Sequence, residues 1–193
     1  MTLDDRRLKL LLAVALVLVG AGVWAFLLRG ADGPADPTLG EDVDTEATLP
    51  GDPGRVPLDG FGEIAINVDA GDGSFFAWCL LAALNQQQRA RGLMEVTDLQ
   101  GYSGMAFVYE EDVQNSYHMR NTSMALSIAW IAADGSVVTI TDMEPCADGD
   151  DCPSYAPTGP YRYAIEVPKG MLTSLGITES SKISVGGSCA PTT

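Results

Sequence analysis

The chain is poor in positive charge and in histidine, and it has a single long apolar run. Eleven Lys and Arg stand against 26 Asp and Glu, a formal charge of −15 over 193 residues. That balance excludes nucleic acid as a partner, because phosphate binding needs a basic footprint, and it excludes a polybasic membrane-surface patch. There is one histidine, His118. No G-x-S-x-G, P-loop, H-E-x-x-H or dinucleotide fingerprint is present, so no catalytic or cofactor motif marks an activity. A hydrophobic fraction of 46% excludes wholesale disorder.

The long apolar run is Leu10–Leu28, nineteen residues without a charge. As a helix it would span roughly 28 Å, close to the hydrocarbon thickness of a bilayer. Arg6, Arg7 and Lys9 precede it, and only Arg29 follows before the sequence turns acidic. The positive-inside rule therefore predicts a cytoplasmic tail over 1–9, a transmembrane anchor over 10–28 and an extracytoplasmic remainder. A cleaved signal peptide is the competing reading, but its apolar region should be shorter and end at a small-x-small site. Residues 29–56 follow as an acidic spacer with Pro34, Pro37, Pro50 and Pro53, unable to bury enough apolar surface to fold.

Residues 57–193 suffice for one hydrophobic core, and they alternate short apolar runs with turn residues. Strands are expected at Glu63–Val68, Phe75–Ala83, Gly104–Tyr109, Tyr117–Arg120, Leu126–Ile131, Ser136–Met143, Tyr161–Val167 and Lys182–Val185. Asn85 caps a short helix, Gln86–Arg91, that Gly92 ends. Asp134-Gly135 reads as a hairpin turn, and Pro168 as the start of a second short helix stopping at Gly176. The expected fold is mostly β (α+β): a compact small barrel or sandwich with two short helices, preceded by the transmembrane helix.

Four cysteines in an oxidising compartment read as two disulfides. Cys146 and Cys152 are separated by five residues and pair locally, which leaves Cys79 for Cys189. Neither spacing nor histidines support zinc. Asp148, Asp150 and Asp151 miss the calcium-loop spacing and read as a solvated acidic turn. Met94, Met105, Met119 and Met143 with His118 could form a soft-metal set, but methionine more commonly fills core gaps. No metal and no cofactor is expected.

Polar residues among apolar ones supply the candidate site: Arg89 and Arg91 at the helix end, Arg120, Asn121 and Thr122 after an apolar strand, and Glu166. Arginine offers a rigid donor fork for carboxylate or phosphate, and Asn121 adds a donor and an acceptor. Strand alternation keeps Glu166 off the face shared by Tyr163, Ile165 and Val167, so it needs water or a cationic partner. These residues read either as an internal polar network fixing two loops or as a shallow site for an anionic or sugar-like ligand.

Four stretches occur in order: Arg89-Ala90-Arg91-Gly92-Leu93-Met94, Gly104-Met105-Ala106-Phe107, Tyr117-His118-Met119-Arg120-Asn121-Thr122 and Glu166-Val167-Pro168-Lys169-Gly170. Together, over roughly 78–186, they resemble the domain-of-unknown-function 192 family, whose pattern is similar to R-G-L-M, G-M-L-F, F-W-M-K-N-T and L-E-x-P-x-G. The Cys146/Cys152 loop resembles an exported actinobacterial-type subset. His118 stands where the family pattern has tryptophan, Ser127 where it has Asp, and the proline after N-T-x is missing. The resemblance implies a small β-rich domain, often exported, and no established activity. The functional expectation is thus a membrane-anchored binding or interaction module for a small polar ligand or cell-envelope component. The alternatives are a hydrolase-like envelope enzyme using Arg120, Asn121 and Glu166, and a purely structural envelope protein.

Overall fold

Strand β5, Leu126–Ile131, is buried at every residue, which an alternating sequence allows only where both sheet faces are covered. In this computed structural model, which describes residues 54–148 and 151–189, that strand lies inside a seven-stranded mixed sheet. The other strands are β1 (Gly62–Asp69), β2 (Phe75–Ala83), β3 (Met105–Val113), β4 (Tyr117–His118), β6 (Val137–Met143), β7 (Ser154–Tyr155), β8 (Tyr161–Pro168) and β9 (Lys182–Val185). Their order is β6-β5-β8-β3-β2-β1-β9, with β4 and β7 pairing separately. Only β2 and β3 run parallel. Such a pair cannot be joined by a hairpin, and the crossover carries α1, Gln86–Arg91. As expected, Asn85 caps α1: its side chain accepts from the Gln88 N–H at 2.9 Å, and the Gln88 side chain accepts in return from the Asn85 N–H at 3.1 Å.

Two apolar layers sandwich the sheet. On one face Leu81, Met105, Phe107, Leu126, Ile128, Trp130 and Ala164 meet Leu93, Val96, Leu99 and Tyr102 from the crossover and Met119 from the turn after β4. On the other, Ile66, Leu80, Ala129, Ile131, Ile165 and Val167 are covered by Leu172, Leu175 and Ile177.

The sheet is not the closed barrel or two-sheet sandwich that the strand pattern suggested. Edge strands β6 and β9 do not pair with each other; the edges touch only at a corner, through a bridge between Ser136 and Lys182 and an Ile183 N–H bond to Gly135 O at 2.9 Å. The Asp134-Gly135 turn makes this contact possible: Gly135 has φ +84, and a Cβ there would lie 2.5 Å from Ile183 O. The second helix is also shorter than expected. Pro168 ends β8 opposite Leu126, where a proline at a strand terminus costs no ladder bond, and only Thr173–Leu175 is helical, as a 3₁₀ turn. The strand expected over Tyr117–Arg120 stops at His118, because Thr122 N–H turns back to Met119 O at 3.0 Å.

Both disulfides are Cys79–Cys189 and Cys146–Cys152, with Cα separations of 5.5 and 5.8 Å. No helix among the described residues is long and apolar enough to cross a membrane. The predicted tail, anchor and most of the spacer lie outside those residues. The end of the spacer is described, and Val56 N–H already bonds Gln100 O at 2.9 Å.

Candidate functional site

The face covered by the crossover does not close completely. Between α1, β3, β4 and the end of β8 it opens into a cleft of about 460 Å³, within the range of small-molecule sites. Glu166 from β8 lies in it, with 5% of its surface exposed. Alternation along Tyr161–Pro168 puts Glu166 on the same face as Ala164, and Gly104 lets the strands approach: a Cβ at Gly104 would lie 2.2 Å from Glu166 O. Among the described residues the carboxyl makes no hydrogen bond and no ion pair, and its oxygens keep a little surface open to the cleft. Burial alone pushes it up to about 8 from an ordinary 4.5, so it is mostly protonated at neutral pH.

Aromatic side chains form the walls. Phe107 and Tyr117 meet edge to face at 5.2 Å, and Tyr117 and Trp130 at 5.9 Å. The Tyr109 and Tyr117 hydroxyls are 3.0 Å apart. Burial, reinforced by Tyr109 and Tyr161, holds the Tyr117 phenol well above its usual range. Tyr161 donates its hydroxyl to Asn115 O at 3.1 Å, which fixes the 114–116 loop at the cleft edge.

The predicted site residues divide. Arg89, Arg91, Thr122 and Glu166 line the cleft; Arg120 and Asn121 do not. Arg89 Nη1 donates to Leu84 O at 2.9 Å and Val108 O at 2.8 Å, with its guanidinium 4.7 Å from the Tyr109 ring centre. Arg91 Nη1 donates to Asp59 O at 2.9 Å, 4.9 Å from the Phe61 ring. Neither pairs with Glu166, because each is held by carbonyls and a ring on its own side. Asn121 sits in the left-handed region, φ +54, and its carbonyl accepts the Glu95 N–H at 2.8 Å. Arg120 and Thr122 bridge to Cys146 through the backbone, and Arg120 Nε lies 3.9 Å from Asp148. The hydrolase-like trio therefore keeps only Glu166 in the cleft, while residues 120–122 anchor the disulfide loop.

The soft-metal set divides as well: Met94, Met119 and His118 line the cleft, while Met105 and Met143 are buried core away from it. Among the described residues the cluster Glu63, Cys79 and Cys189 has metal-binding spacing, but both sulfurs are in a disulfide. Instead, the Glu63 carboxylate accepts from Tyr102 OH at 3.0 Å and faces Arg55 at 3.4 Å.

The DUF192 family model, described as "Uncharacterized ACR", matches residues 69–185. The chain belongs to this family. Two solved structures share the DUF192 fold of this chain. One is a proposed transcription regulator from Sinorhizobium meliloti, 21% identical, TM-score 0.56, covering 67% of this chain and 98% of that one. The other is a protein of unknown function from Novosphingobium aromaticivorans, 25% identical, TM-score 0.58, covering 67% and 90%. No curated protein matches. Each of the four motif stretches that resemble the DUF192 pattern contributes to the cleft, through Arg89 to Met94, Phe107, Tyr117 to Met119 with Thr122, and Glu166. Ser127, in place of the pattern's Asp, donates to Asp142 at 2.6 Å and accepts the Gly170 N–H at 2.9 Å, so the neighbouring strand supplies the carboxylate. Sequence reasoning missed Phe107, Tyr109, Tyr117 and Asn115; the i, i+2 spacing of Phe107 and Tyr109 on a predicted strand was the available signal.

Proposed function

We propose that this DUF192 protein is a membrane-anchored, extracytoplasmic module that binds a small polar ligand in the cleft around Glu166. The observation that carries the reading is a carboxyl with no protein partner, on a residue 5% exposed, opening into a cleft that Phe107, Tyr109 and Tyr117 also line. Buried polar groups are nearly always bonded, and an exception calls for a reason; a missing ligand is one. Two disulfides support an oxidising compartment, and the charged-then-apolar N-terminal sequence supports the anchor.

Purified full-length protein, melted against a panel of sugars, short peptides, amino acids and divalent metals, tests the binding reading. At least one organic class should raise Tm, and Glu166→Gln should abolish the shift. A shift unchanged in that variant would place binding elsewhere. Topology is tested separately: protease added to intact spheroplasts should remove the folded domain, and protection of that domain would refute the orientation.

A further inference from the structure

The cleft presents both signs of charge without letting them neutralise each other. Glu166 lies in it buried and unpaired, while Arg89 and Arg91 stand in the α1 wall. Both arginines make their hydrogen bonds through Nη1 alone, leaving Nε and Nη2 unused among the described residues. They are also held in place, by backbone carbonyls and by the Tyr109 and Phe61 rings, so they cannot swing in to pair with Glu166 without giving up those contacts. Among the described residues no hydrogen bond or ion pair joins Glu166 to either arginine. The aromatic residues Phe107, Tyr109 and Tyr117 line the space.

Resting on the binding function proposed above, we infer that the cleft ligand is a small zwitterion, its ammonium on Glu166 and its carboxylate on the free edge of Arg89 or Arg91. An ammonium satisfies the buried carboxylate by charge-assisted bonds and is favoured by surrounding ring faces. A guanidinium with Nε and Nη2 free offers the two parallel donors that a carboxylate accepts. A neutral sugar can hydrogen-bond both groups but neutralises neither charge, and a simple anion answers only the guanidinium. Binding releases a proton: the neutral carboxyl gives its proton to solvent and the resulting carboxylate accepts the ammonium N–H groups. His118, Tyr109 and Tyr117 are the other titratable groups lining the cleft, and the two phenols are bonded to each other.

Isothermal titration calorimetry on the full-length protein at pH 7, in two buffers of different ionisation enthalpy, reads affinity and proton release together. The probes are alanine, 4-aminobutyrate and 6-aminohexanoate, with butylamine, butyrate and glucose as single-feature controls. One of the zwitterions should bind about ten-fold or more tighter than butylamine or butyrate, the worth of one charge-assisted contact. It should release close to one proton, and Glu166→Gln should remove both the proton release and the advantage. Either Arg89→Gln or Arg91→Gln should bring that zwitterion down to the affinity of butylamine, and an unchanged affinity in both would overturn the inference; if these variants do not fold, the wild-type comparison with butylamine decides the same point. Glucose binding more tightly than every zwitterion, in a Glu166-dependent way, would overturn the inference and leave the binding function standing. Binding by none of the six probes would overturn it as well, and the wider melting panel would then decide whether the cleft reading survives.

Discussion

The two faces of the central sheet are sealed in different ways. One is covered by a single short stretch after β8, whose Leu172, Leu175 and Ile177 close over Ile131, Ile165 and Val167. Its buried polar side chains are satisfied: Ser181 donates to Gly176 O at 2.7 Å and accepts the Thr178 N–H at 2.9 Å, and Ser127 is bonded to Asp142 and Gly170. The opposite face is roofed by irregular segments from several parts of the chain, keeps an opening, and holds a carboxyl with no partner. Both disulfides pack on this second face, through Cys79 and Cys146. Covalent links stand where apolar cover is discontinuous, and the unpartnered Glu166 carboxyl stands where the cover is open. A fully packed face can be stable without being receptive; the open face trades part of its packing for a site.

The largest expected effect comes from unlinking the open face. Replacing Cys79 and Cys189 with Ser, which opens a separation of 110 residues, should cost about 4–5 kcal/mol in the chain-entropy model, against about 2 for Cys146 and Cys152. Urea unfolding of the two double variants measures both, and equal losses would show that loop length is not what matters. Next in size, Ile165→Ala on the sealed face should cost about 2–5 kcal/mol because the void has nothing to fill it. Met94→Ala at the cleft should cost under about 1 kcal/mol, since water can enter. A comparable loss at Met94 would mean that the cleft is packed in solution.

The third effect is a pH dependence confined to the open face. Glu166 titrates near 8 when folded, against an ordinary 4.5, so between those values the native state holds a proton that the unfolded chain has lost. Stability therefore falls as pH rises from about 4.5 to 8, by at most about 1.4 kcal/mol per pH unit. Unfolding midpoints from pH 5 to 8 should show that slope in the wild type and in Ile165→Ala, and a flatter one in Glu166→Gln. The smallest effect lies at the corner where the sheet edges touch. There the Ser136 hydroxyl and N–H, then Lys182, hold Asp134 down at about 2. Its contribution is present above an ordinary 3.8 and is lost as pH falls through about 2. Asp134→Ala should lower Tm slightly at pH 7 and not at all below pH 2; a larger drop would show that the corner contact carries more of the stability than its exposure suggests.

How much was readable from the chain varies with the range of the interaction. Strand segments, the Asn85 cap, the Asp134-Gly135 turn and the face of Glu166 follow from neighbours within a few residues, because alternation and turn chemistry are local properties. The cysteine partners followed from one short spacing, which left a single remaining pair. Other features were set by approaches between residues far apart in sequence. The parallel pairing of β2 with β3 depends on how the crossover packs, and the failure of β6 and β9 to pair on how far the sheet curls. Asn121 looked like a ligand residue, yet it does not line the cleft; Arg120 looked like a partner for Glu166, yet it lies beside the Cys146 loop. Composition and periodicity determined which side chains could be polar within an apolar strand. Whether such a side chain meets a cation, a carbonyl or an open cleft was decided only by the tertiary structure, because hydrogen-bond partners are selected by distances of about 3 Å that sequence order does not encode.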